Sequence, residues 1–165
     1  IDDPRFKPAS KGTAPHTHAI MYQQVRQAYH ALARKLNLRI IPSGDAMYRA
    51  DTDKEWGYRV DSSFDLKKAA YPSLPDQQHS LHVGWYWRKQ PDGSRQLRMD
   101  GHHASSAGKY LLGCVWFETL FDESVAGNSY VPEGIDAEYA EFLQQTAHVT
   151  VSGLSLQKQK TSLIP

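Results

Sequence analysis

The stretch "MDGHHASSAGKYLLGCVWFETLF", Met99 to Phe121, sets Asp100 three residues ahead of His103. An imidazole acting as a general base needs one ring nitrogen turned to its substrate. The other must be held by an acceptor that fixes the tautomer and stabilises the imidazolium. A carboxylate three residues upstream, on a turn before a helix, can curl back to do this, and Gly101 gives that turn freedom. The same spacing also suits a simpler arrangement in which Asp100 caps a turn and His103 is a surface histidine. An aspartate and a histidine are two of the three groups of a hydrolytic triad, so the position of a nucleophile is the next question.

The elements around the pair follow from periodicity. Thr17 to Leu36 carries a helical stripe of Ile20, Met21, Val25, Ala28, Tyr29, Leu32, Ala33 and Leu36, and Asn37 can end it. "LRIIP", Leu38 to Pro42, predicts a buried strand parallel to its neighbours. From about Tyr48 to Gln78 periodicity fades into a long irregular connection, with one short helical turn near Phe64–Ala70. Strands at about Ser80–Arg88 and Gln96–Met99 flank the turn formers Pro91-Asp92-Gly93, and the second delivers Asp100. Ser105 or Ser106 caps a helix to Phe121 that is apolar on most sides, which predicts burial in a core, Trp116 included. A last helix is expected over Asp136–Ala147. The chain thus divides into an extended lead-in (1–15), one domain (16–150) and a polar tail (151–165).

Composition narrows the classes. The 165 residues carry a formal charge of +1 and a pI near 8.0, which gives no reason to expect nucleic acid or an anionic membrane as partner. No apolar run approaches the roughly 20 residues of a membrane span. The first residues lack both an initiator Met and the apolar segment of a signal peptide, so the chain is expected to be a processed or partial piece of a longer protein. The single cysteine, Cys114, precludes an intrachain disulfide and lies in the apolar run, where a buried, inert thiol is expected. His16-x-His18, His79-x-x-His82 and His102-His103 fit no compact zinc motif, and no metal or other cofactor is expected.

"DGHHASSAGKYL" followed by an apolar, aromatic helix resembles the last sequence block of the SGNH (GDSL-type) hydrolase superfamily. The matching residues are Asp100, His103, Ala104, Ser105, Gly108, Tyr110 and Leu111; proline is frequent in the family where Ala104 stands. Counting back five residues from Gly108 selects His103 rather than His102. "IIPSGDA" and "GNSYVPEGIDAEYAEFLQQTAH" are similar to a bacterial subgroup of the same superfamily. The resemblance implies a flavodoxin-like three-layer α/β/α sandwich, of which this chain is the C-terminal portion with an inserted hairpin. It implies a Ser-His-Asp esterase acting on acyl esters, acetyl groups on a carbohydrate being the expected class, in an extracytoplasmic setting. It places the nucleophilic serine and the Gly and Asn oxyanion donors in an N-terminal segment that has no match here.

Two other sets of residues are candidates for the site. Ser43 and Asp45, in "PSGDA", lie at the C-terminal end of the expected strand, where open α/β sheets place their sites. Ser43 is a weaker candidate for the nucleophile, because the irregular region rather than a helix is expected to follow it. It is a stronger one for lining a substrate site. Trp85 and Trp87 share one face of an alternating strand, where they can stack on a sugar ring or pack the hairpin on the core. A glycan-binding module without chemistry is the alternative to an esterase.

Overall fold

The computed structural model describes residues 17–162, and side chains through residue 154. The lead-in expected over 1–15 and the last three residues lie outside the described residues. The fold is mixed α/β, with helices α1 (His18–Leu36), α2 (Ser43–Asp51), α3 (Ser106–Phe121) and α4 (Ala137–Ser162) around one antiparallel hairpin, β1 (His82–Lys89) and β2 (Arg95–Ala104).

The caps act where the sequence places them. Thr17 accepts the Ile20 N–H at the start of α1, and Asn37 ends it in the left-handed region at φ 51°. Ser105 accepts the Gly108 N–H at 3.2 Å and donates its hydroxyl to the Ser80 carbonyl at 2.8 Å, so one side chain caps α3 and ties it to the segment before β1. Asp136 accepts the Tyr139 N–H at the start of α4. The core is built from Ala46 and Ala50 of α2, Leu81 just before β1, Leu111 and Val115 of α3, and Tyr139, Leu143 and Ala147 of α4.

Gly108 has a steric reason. A Cβ there would fall 2.2 Å from the Leu81 carbonyl oxygen and 3.2 Å from the Ala104 Cβ, because the first turn of α3 rests directly on the Leu81 backbone just before β1. Gly108→Ala should therefore lower stability by at least about 1–3 kcal/mol. Thermal unfolding checks this, and a wild-type midpoint in the variant would contradict the close approach.

Several expectations change. Leu38–Pro42 forms no strand. The N–H groups of Arg39, Ile40 and Ile41 have no backbone partner among the described residues, and a strand requires a neighbour. Ser43 is followed at once by a helix, α2, so the irregular stretch begins nearer Thr52. Phe64–Ala70 holds turns rather than a helical turn. The expected polar tail is helical to Ser162, since nothing from Ala147 to Ser162 is proline and each added residue closes one more hydrogen bond.

Trp116 is the clearest correction. It is 51 % exposed, and Phe117, Leu120 and Phe121 are exposed beside it on α3. The helix is apolar on most sides as expected, but only the side of Leu111, Cys114, Val115 and Glu118 is buried. The stripe of α1 behaves alike. Val25, Tyr29, Leu32 and Leu36 are exposed, and Ala33 alone in that helix is buried.

Candidate functional site: a histidine held in a strand bulge

The Asp100–His103 pair lies on β2 itself, not on a turn ahead of the helix. His82 pairs with Ala104, and Gly84 pairs with Asp100. Three residues of β2 (Gly101, His102, His103) therefore face the single Val83 of β1. Such a bulge bends the strand and re-aims its side chains. Asp100 closes it from within. Its Oδ1 accepts the N–H groups of His102 and His103, both at 3.0 Å, while its Oδ2 lies 2.8 Å from His103 Nδ1.

These contacts fix the electrostatics. The backbone N–H of His103, then that of His102, then the His103 ring stabilise the carboxylate and hold Asp100 down to about 2. An ionised carboxylate only accepts, so Nδ1 carries the ring proton and Nε2 presents its lone pair outward. The His103 side chain is 81 % exposed and that of Asp100 22 %. The His102 ring makes no hydrogen bond among the described residues, so the pairing matches the register counted from Gly108.

A carboxyl group whose folded value is depressed adds stability above its unfolded value, lost as pH falls through the folded one. The stability difference between wild type and Asp100→Asn should stay level from neutral pH to about 4, the ordinary carboxylate range. It should then shrink as pH drops toward about 2. Urea titrations across that window measure it. A difference that vanishes already near neutrality would mean the N–H groups do not hold the carboxylate.

The remaining residues of the Asp100–Leu111 block also have physical roles. Besides Ser105 and Gly108, Tyr110 donates to the Tyr130 carbonyl and receives the Gln144 amide, both at 2.8 Å, fastening the loop after α3 to α4. Leu111 is fully buried.

Ser43 opens α2, where its Oγ accepts the Trp116 indole N–H at 3.0 Å. It lines an apolar cavity of about 540 Å³ with Met21, Val25, Ile41, Asp45 and Trp116, and Gly101 of the bulge forms part of the same wall. The structure thus brings Ser43 and the bulge to one cavity. Asp45 is engaged by Tyr22 at 2.9 Å and Arg26 at 3.0 Å, so it ties α1 to α2. Trp85 and Trp87 are half-buried. Trp87 donates its indole N–H to the Ser73 carbonyl and meets Tyr71 edge-on at 6.0 Å, which pins the hairpin to the irregular connection. Among the described residues no three His, Cys, Asp or Glu side chains gather as a metal site.

A second histidine–carboxylate pair escaped the sequence reading. Glu118, buried in α3, accepts His148 at 2.7 Å and the Val125 N–H at 3.1 Å, and Ser124 Oγ lies 3.1 Å from the same His148 nitrogen. Serine, histidine and glutamate match a triad by type but not by geometry. Both partners meet Nδ1, so no relay runs from hydroxyl through ring to carboxylate. Its one sequence sign is a charged residue inside "VWFETLF". Burial pushes the Cys114 thiol up to about 11, which makes it a poor nucleophile. Compared with known proteins, the chain matches no family model, no curated protein and no solved structure.

Proposed function

We propose that this chain is the C-terminal portion of an SGNH-type serine ester hydrolase, and that His103 and Asp100 are its general base and orienting acid. The carrying observation is the 2.8 Å contact between Asp100 Oδ2 and His103 Nδ1, which leaves Nε2 accessible. The serine comes from a preceding segment of the same protein. Nε2 takes the serine proton as the hydroxyl attacks the acyl carbonyl, then returns it to the departing alkoxide. In the second half a water gives its proton to Nε2, attacks the acyl-enzyme, and the serine recovers the proton as the acid leaves. Asp100 stays ionised and stabilises the imidazolium throughout.

The half-domain reading is supported by the N–H groups of Arg39, Ile40 and Ile41, which have no backbone partner among the described residues, and by the exposed apolar sides of α1 and α3. N–H groups without a partner beside apolar faces invite further strands, as a three-layer α/β/α sandwich would supply. The substrate class is an acetyl or similar acyl ester, with a carbohydrate as the alcohol, and the setting extracytoplasmic. A glycan-binding role without chemistry draws on the exposed Tyr71, which stands beside Trp87 with the Arg95 guanidinium 4.2 Å over its ring. The deciding experiment joins the chain to its serine-bearing segment and assays p-nitrophenyl acetate and acetylated oligosaccharides. Saturable hydrolysis is expected. Glycan binding with no turnover of either would overturn the hydrolase reading in favour of the binding module.

A further inference from the structure

The outer edge of β1 is closed by a turn that no catalytic role has yet absorbed. The Ser80 N–H bonds the Gln77 carbonyl at 3.0 Å, and His79, at the third position of this turn, takes the left-handed conformation at φ 62°. Tyr139 donates to the His79 carbonyl at 3.1 Å and packs on its ring, so α4 holds the turn in this shape. From it, two side chains reach β1 as a third strand would. The Gln77 amide accepts the Trp85 N–H and donates to the Trp85 carbonyl at 2.9 Å. The Ser80 hydroxyl donates to the His82 carbonyl at 2.9 Å and lies 3.3 Å from the His82 N–H.

His82 and Trp85 bracket the bulge. Between them lies Gly84, the register partner of Asp100. Gly84 is buried at φ 73°, and a Cβ there would land on the Gln77 amide, 2.1 Å from its oxygen. Gln77 therefore bridges the point where β1 must stay in register so that β2 can carry two residues more than its partner.

We propose that Gln77 is a positioning residue for the Asp100–His103 pair, acting through Gly84 and Trp85 to fix the bulge that carries both. Its meaning for catalysis rests on the hydrolase reading; its effect on the His103 tautomer does not. Without the amide, β1 can slide or fray at Gly84, Asp100 loses its fixed partner, and the Oδ2–Nδ1 contact loosens.

The test is ¹⁵N spectroscopy of His103 in the 165-residue chain at alkaline pH, where ring nitrogens report the neutral tautomers. Wild type should show the Nδ1–H form. Gln77→Ala and Gly84→Ala should each shift the tautomer ratio roughly tenfold toward Nε2–H, the scale of one hydrogen bond to a charged group. Asp92→Ala, which removes the Ser94 contacts at the hairpin tip, should leave the ratio unchanged. If Gln77→Ala does not fold, Gln77→Glu replaces it, because it keeps an acceptor for the Trp85 N–H and loses the donor to the carbonyl. A folded Gln77 variant with the wild-type ratio would overturn the proposal. So would an equal shift in Asp92→Ala, which would show that any weakening of the hairpin suffices. A full-length protein without esterase activity, whose His103 tautomer still answers to Gln77, would sink the hydrolase reading and leave this inference standing.

Discussion

Replacing His103 by alanine in the serine-bearing protein should abolish acyl transfer, because His103 is the imidazole on the bulge whose ring Asp100 holds. Asp100→Asn should be nearly as severe, about 10⁴-fold in kcat by the precedent of serine-protease triads. The bulge explains why. Asparagine offers one oxygen where aspartate offers two. That oxygen is needed by the N–H groups of His102 and His103, two donors at 3.0 Å. Satisfying them turns the side-chain NH₂ toward the ring. Nδ1 must then accept, the proton moves to Nε2, and the ring can no longer act as a base. The opposite flip would set an NH₂ against two backbone N–H groups, which costs more than one ring contact returns. The variant should thus keep its fold while losing turnover. His102→Ala should be mild, because His102 contributes its backbone N–H to the pair and alanine retains it. Steady-state kinetics on the three variants decides this. A lethal His102→Ala beside a harmless His103→Ala would reverse the assignment of the base.

What the sequence disclosed was local. The Asp100–His103 contact, the Ser105 cap, the hairpin turn and the extent of α1 and α3 rest on residues within about four positions of one another, where spacing translates directly into geometry. The bulge was hidden because extra strand residues that point to solvent leave no apolar alternation to read. "DGHH" therefore passed for a turn after the strand. The brace was hidden because Gln77 and Ser80 act on backbone groups of Trp85 and His82, and any residue type there would offer the same N–H and C=O. Glu118 and His148 meet across 30 positions, a distance over which spacing carries no information. Trp116 and Leu38–Pro42 failed differently. Their apolar character was legible, but character states what a residue prefers, not whether its partner lies within the chain.

The other large effect concerns the serine-bearing segment proposed above. Residues 1–165 alone should show no saturable ester hydrolysis beyond that of free imidazole, whereas the protein including the serine-bearing segment should turn over. The same comparison should be visible at Trp116 and along Arg39–Ile41. In the chain alone the indole is half exposed and its N–H rests on Ser43, so Trp116→Ala should cost little stability. Covered by further strands, the same side chain would be a core residue, and its truncation should cost about 3–5 kcal/mol. The amides of Arg39, Ile40 and Ile41 should exchange freely in the first case and slowly in the second, since pairing in a sheet protects them. Urea titration of Trp116→Ala and hydrogen exchange, each on both proteins, measure these differences. The sharpest contrary outcome is turnover by the 165 residues that disappears on Ser43→Ala. Ser43 opens a helix, and it shares a cavity wall with Gly101. Activity lost there would make Ser43 the nucleophile and remove the need for a second segment. The N–H groups of Arg39, Ile40 and Ile41, without a backbone partner among the described residues, argue against it. A nucleophile must be held still, and this one is preceded by a stretch that no neighbouring strand yet fixes.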